Sequence, residues 1–122
     1  MSARGHGTAE LRGLLDELRA RIEARIARVS AELDELARAR RSESDDDEHD
    51  PEGVPLSAEW SRLSGRLDAA RAELSGVEES ERRLAAGEYG VCTACGRAIP
   101  IARLRARPAA LTCVPCGERL AR

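Results

Sequence analysis

Cys92-Thr93-Ala94-Cys95-Gly96 and Cys113-Val114-Pro115-Cys116 form two Cys-x-x-Cys pairs with seventeen residues between Cys95 and Cys113. That is the spacing of a four-thiolate zinc site. The chain has four cysteines, and the two pairs use all of them. Zinc takes four thiolates in a tetrahedron, with Zn–S near about 2.3 Å. One Cys-x-x-Cys turn sets two sulfurs on one side of the ion and leaves room for a second turn opposite. Gly96 permits the backbone of the knuckle, in which amides point at the sulfurs and disperse their charge. Four thiolates complete the coordination sphere and leave no position for water or substrate. The expected cofactor is therefore one structural zinc ion, and not a catalytic one.

Three other uses of the cysteines compete with this. A redox Cys-x-x-Cys belongs in a βαβ context, which the sequence lacks. Two disulfides need an oxidising compartment, and no targeting segment points to one. An iron–sulfur cluster can use four cysteines, but this spacing does not specify it.

Working outward, the composition describes what surrounds the site. Of 122 residues, 34% are charged and 42% hydrophobic, yet aromatics make up 2% and Phe is absent. Aromatics carry much of the buried area of ordinary cores, so long helices rich in Ala, Leu, Glu and Arg fit better than a large globular core. No apolar run is long enough to span a membrane, and the N-terminus lacks the apolar segment of a signal peptide. A cytoplasmic protein without membrane partners is expected. The net charge of −2 hides an asymmetry. Glu43 to Glu52 holds seven acids and no Arg, whereas Gly96 to Arg122 holds six Arg against Glu118 alone. Such asymmetry fits docking on a charged partner in one orientation, and equally a solvated surface.

A first helix is expected from Thr8, an N-cap type, with Glu10 in the first turn. Its apolar stripe is Leu11, Leu15, Leu18, Ile22, Ile26, Val29, Leu33 and Leu36. This is a heptad pattern with one long phase at Leu18–Ile22–Ile26. The pattern fades after Arg41. Residues 42–56 have no apolar periodicity, two prolines and a glycine, and are expected to form an acidic loop. A second helix is expected from Ser57 as N-cap. Its stripe is Trp60, Leu63, Leu67, Ala70, Leu74, Val77, then Glu81 in an apolar slot, then Leu84, with Gly87 as the stop. Trp60 is expected in the seam between the helices.

Two stripes of similar length joined by a loop predict an antiparallel helical hairpin. About thirty residues per helix span about 45 Å. The expected fold class is mostly α: a long antiparallel coiled-coil hairpin followed by a small C4 zinc-finger head with short helices. The expected divisions are residues 1–7 as a disordered start, 8–87 as the hairpin with its tip loop at 42–56, and 88–122 as the head. In the head, Pro100 opens a short helix through Leu104, Pro108 ends it, and a second short helix begins at Cys116. Ile99, Ile101, Leu104, Leu111 and Leu120 are too few for an independent core, so the head is expected to need metal in order to fold.

From Glu88 onward the sequence resembles the DksA/TraR family of C4 zinc-finger proteins. The matching residues are Gly87-Glu88-Tyr89-Gly90-x-Cys92-x-x-Cys95-Gly96-x-x-Ile99-Pro100-x-x-Arg103-Leu104-x-Ala106-x-Pro108-x-Ala110-x-x-Cys113-x-x-Cys116. The resemblance implies a coiled-coil hairpin with a zinc head, and Cys92, Cys95, Cys113 and Cys116 as zinc ligands. It implies a transcription regulator that binds bacterial RNA polymerase, puts its hairpin into the secondary channel and reads no DNA sequence. Several members act together with ppGpp, which makes that nucleotide a second partner to consider. Members acting strongly on initiation carry Asp-x-x-Asp-x-Ala at the hairpin tip. Here Asp47 and Asp50 supply the acids, but Glu52 stands in the alanine slot.

Asp45, Asp46, Asp47, Glu48 and Asp50 are the candidate tip residues. Carboxylates are ligands for hard cations and could approach the magnesium region of the polymerase; a solvated loop is the competing account. Arg97, Arg103, Arg105 and Arg107 are candidate contacts for an acidic partner surface or phosphates, and Arg103 has a structural alternative. No nucleophile–base constellation is present, so an enzyme is not expected. A structural zinc-ribbon adaptor that binds another protein, with no role in transcription, is the alternative function. A monomer is expected.

Overall fold

The computed structural model describes residues 7–46 and 53–121, with backbone alone at 43–46 and 53–55. Four helices follow in order: α1 (Thr8–Asp46), α2 (Gly53–Ala85), α3 (Ile101–Ala106) and α4 (Val114–Leu120). Among the described residues there is no strand, and pairing outside the helices is limited to an isolated antiparallel bridge between Val91 and Ala98. The expected class, two long paired helices followed by a small cysteine-bearing head with short helices, is the one adopted. The chain divides into two compact units, one of Ile22–Glu73 and one of the chain up to Arg21 with the chain from Leu74 onward.

In the Ile22–Glu73 unit, α1 and α2 run antiparallel. Arg25 Nη1 donates to Glu73 Oε2 at 2.7 Å, near the start of the α1 portion and the end of the α2 portion. Val29 and Leu33 of α1 cluster with Leu63 and Leu67 of α2, and Ile26 and Leu36 pack against them. Leucines and β-branched residues at three- and four-residue steps keep one face of each helix against the other, which is what makes such helices stable. The ion pair is solvent-exposed and adds little beside this burial.

Trp60 departs from expectation. It is 36% exposed, whereas Leu63, three residues on, is 3% exposed. The large apolar residues of the α1 stripe end at Leu36, and nothing comparable follows to cover an indole. The helix limits differ as well. The α1 helix continues five residues past Arg41 to Asp46, and α2 begins at Gly53 rather than Ser57, so both helices enter the expected 42–56 loop. Apolar periodicity reports packing, whereas an established helix propagates cheaply without it. Pro55 falls in the first turn of α2, where its missing N–H has no helical partner to lose.

In the other unit, Leu11, Leu15 and Val77 are buried. Gly7 accepts a hydrogen bond from the Leu11 amide at 2.9 Å. Residues 1–6 lie outside the described residues. The apolar slot assigned to Glu81 is filled otherwise: Ser80 is fully buried, and Glu81 is half-buried with its carboxylate accepting from Arg19 Nη1 at 2.6 Å. A small hydroxyl enters an apolar seam at far lower cost than a carboxylate, so the seam passes through Ser80. Gly87 ends α2 as expected, at φ 75°. The Gly87 amide donates to Leu84 O at 3.2 Å and the Glu88 amide to Arg83 O at 2.8 Å. This pair of bonds satisfies carbonyls that the helix end would otherwise orphan.

Among the described residues, Ser80 Oγ has no hydrogen-bond partner. A buried unsatisfied hydroxyl costs stability, and Ala is also the better helix former. Ser80→Ala should raise stability by about 1 kcal/mol, read as a higher midpoint in thermal or urea unfolding monitored by circular dichroism.

Candidate metal centre

The first knuckle is a tight turn closed at its base by the Val91–Ala98 bridge. The Cys92 amide donates to Arg97 O at 2.8 Å, and the Gly96 amide donates back to Cys92 O at 2.9 Å. Gly96 has φ 78°, and a Cβ there would meet nothing within 4 Å, so glycine is required for its backbone conformation and not for space. The second knuckle runs into α4. Cys113 is the N-cap residue of α4, with Pro115 in its first turn, and Gly117 N donates to Cys113 O at 2.9 Å. Helix α4 thus starts two residues before the expected Cys116. Helix α3 opens after Pro100 as expected and reaches Ala106.

Three side chains fix the second knuckle against the first. Thr93 donates to Leu111 O from its amide at 2.8 Å and from Oγ1 at 3.1 Å. Arg103 Nε donates to Thr112 O at 2.8 Å. Tyr89, buried, donates its hydroxyl to Pro108 O at 2.7 Å, and burial pushes its pKa up to about 12. Ile99 and Leu104 are fully buried beneath this network, whereas Leu120 is 70% exposed. Arg83 of α2 donates to Glu88 O and Val91 O, each at 3.4 Å, which ties the end of α2 to the first knuckle.

The sulfurs of Cys92, Cys95, Cys113 and Cys116 all lie within 4.8 Å of one another. Cys95 Sγ and Cys113 Sγ are 3.9 Å apart. A tetrahedron with Zn–S bonds of about 2.3 Å has sulfurs about 3.8 Å apart, so the cluster is of a size to take one zinc ion. Cys92 and Cys116 are buried, Cys113 is half-buried and Cys95 is exposed. Burial pushes the Cys92 thiol up, but the amides of Cys113, Cys95 and Ala94, with the neighbouring Cys95 sulfur, outweigh it and bring the pKa to about 6. Cys116 moves the other way, to about 11. The adjacent Cys113 sulfur and burial raise it, against the opposing bond from Arg119. Closely packed sulfurs cannot all ionise without a cation among them.

The other candidate residues are dispersed. Asp47, Glu48 and Asp50 lie outside the described residues, and Asp45 and Asp46 fall in the last turn of α1. Arg103 and Arg105 already have internal partners: Arg103 the Thr112 carbonyl, and Arg105 the Glu10 carboxylate at 3.0 and 3.2 Å. Arg97 and Arg107 are exposed, and no side-chain partner for either is found among the described residues. Sequence reasoning missed Arg119, which donates from Nη2 to Cys116 Sγ at 3.0 Å. The signal was available, since an Arg three residues after a ligand on a helix shares its face.

Residues 87–121 match the family model of the prokaryotic dksA/traR C4-type zinc finger. No curated protein sequence matches the chain. Among solved structures, the chain is similar to transcription factor DksA2 from Pseudomonas aeruginosa, at 26% identity and a TM-score of 0.76 over 93% of this chain and 81% of that one. The four cysteines are placed for one structural zinc ion, the cofactor of a C4-type finger.

Metal binding must displace protons from sulfur. Protons compete with zinc for all four sulfurs, so zinc retention should fall as the pH is lowered. Cys116 still holds its proton at neutral pH, so adding zinc to the metal-free chain at pH 7 should release acid. Zinc release measured against pH, and proton release in weak buffer, check the two ends. Retention unchanged down to pH 4 would contradict the first.

Proposed function

The chain belongs to the DksA/TraR family of C4-type zinc-finger proteins, and from that membership we propose that it is a transcription factor that binds bacterial RNA polymerase. The observation that carries this reading is the likeness to DksA2, which extends through the long helices as well as the finger and covers 93% of this chain. A finger alone would fit many adaptors; the finger joined to a long helix pair is the more specific combination.

In this reading the work is divided along the chain. Residues 8–87 form the hairpin that enters the secondary channel of the polymerase, after a short N-terminal segment at 1–7. Residues 88–122 form the head, whose zinc ligands are Cys92, Cys95, Cys113 and Cys116. The zinc is structural: it holds the two knuckles together and supplies no reaction, so the protein regulates and does not catalyse. Asp45, Asp46, Asp47, Glu48 and Asp50 bring negative charge toward the polymerase magnesium region. Arg97 and Arg107 are the better placed of the four candidate arginines for an acidic partner surface, because Arg103 and Arg105 are occupied internally. The protein acts as a monomer in the cytoplasm and reads no DNA sequence, with ppGpp as a further ligand of its complex with polymerase. Among the described residues no helix is long and apolar enough to cross a membrane.

The test is capture of RNA polymerase by the zinc-loaded chain, alongside a variant with Asp45, Asp46, Asp47 and Asp50 changed to Asn and Glu48 to Gln. Both should retain polymerase, and a second secondary-channel factor should displace them. Only the native chain should alter the lifetime of promoter complexes. Failure of both to retain polymerase would leave the adaptor function standing, and full activity of the neutral variant would remove the acids from the mechanism.

A further inference from the structure

We propose that Arg119 is a positioning residue of the metal centre, whose guanidinium holds the Cys116 sulfur and sets how slowly zinc leaves. Cys116 and Arg119 are three residues apart on α4 and so project from one face. Arg119 Nη2 lies 3.0 Å from Cys116 Sγ, a hydrogen-bond distance to sulfur. This is the one side-chain bond that Arg119 makes among the described residues, so the guanidinium is not held there by a carboxylate.

Four thiolates around a divalent zinc leave an excess of two negative charges on the sulfurs. A cationic donor draws off part of that charge, which makes the sulfur less basic and less open to attack by a proton or a competing ligand. The centre is also lopsided. Cys92 and Cys116 are buried, whereas Cys95 is exposed. A cavity of about 530 Å³ opens beside three of the sulfurs, with Cys95, Cys113, Cys116, Arg97, Glu118 and Arg119 in its lining. A chelator would reach the ion from this side. Of the three sulfurs on this side, Cys116 is the buried one, and it is the one bonded to Arg119. Arg97 lines the same cavity and is not bonded to sulfur among the described residues, so it reports the effect of cavity charge alone.

The measurement is the rate of zinc transfer from the full, zinc-loaded chain to a chromogenic chelator. Arg119→Ala should release zinc about 10-fold faster, Arg119→Lys should fall between it and the native chain, and Arg97→Ala should match the native chain. In the cobalt-substituted protein, the thiolate-to-metal charge-transfer band should shift for Arg119→Ala and not for Arg97→Ala. Release from Arg119→Ala at the native rate overturns the proposal, as does equal acceleration by Arg97→Ala. Circular dichroism of the loaded proteins separates this from misfolding. If Arg119→Ala loses helix, Arg119→Gln takes its place: release faster than native supports the proposal, and release at the native rate overturns it.

Discussion

Four sulfurs drawn within 4.8 Å of one another are the constraint on which the head depends. Left to themselves they repel as they ionise, and the opposite displacements of Cys92 and Cys116 express that conflict. A divalent ion resolves it. The head has little else to hold it together: Tyr89, Ile99 and Leu104 are buried, and the remaining large apolar side chains are partly or largely exposed. So small a core cannot offset the entropy of ordering the loops around it. The hydrogen bonds from Thr93, Arg103 and Tyr89 then determine how the knuckles face each other, by anchoring the carbonyls at Leu111, Thr112 and Pro108.

The helices follow a different economy. Their seam is aliphatic and nearly without aromatics, built from Leu, Ile, Val and Ala at alternating three- and four-residue steps. The ion pairs along it, Arg19 with Glu78 and Glu81 and Arg25 with Glu73, are partly solvated. Each adds little to stability, because its charges stay in contact with water. Ser80 shows that the seam tolerates a polar atom where the side chain is small.

A closed metal site and a long helix pair divide structure from action. A four-thiolate centre has no place for a substrate, so its contribution is to shape. What such a protein does to a partner must come from the surfaces that the metal and the helices hold in place. Arg97 and Arg107 remain exposed, whereas Arg103 and Arg105 are bonded within the chain.

The sequence by itself determined the metal site and the helix pair, because both are written in spacing. Two Cys-x-x-Cys pairs and an intervening length suffice for a tetrahedral ion, and the 3–4 repeat of Leu11 to Leu36 and Leu63 to Leu84 suffices for two facing helices. Gly87 was legible for the same reason, as a residue free to turn left-handed where the repeat stops. Only the tertiary structure decided the rest. Whether Trp60 is covered depends on what the opposite helix offers, and the choice of Ser80 over Glu81 for the seam depends on the cost of burying a carboxylate against a hydroxyl. The ends of α1 and α2 depend on helix propagation, which leaves no apolar mark. Arg103, Arg105 and Arg119 looked alike as basic residues in a basic segment. Their three different partners, a carbonyl, a carboxylate and a thiolate, exist only once distant parts of the chain or successive turns of one helix are brought together.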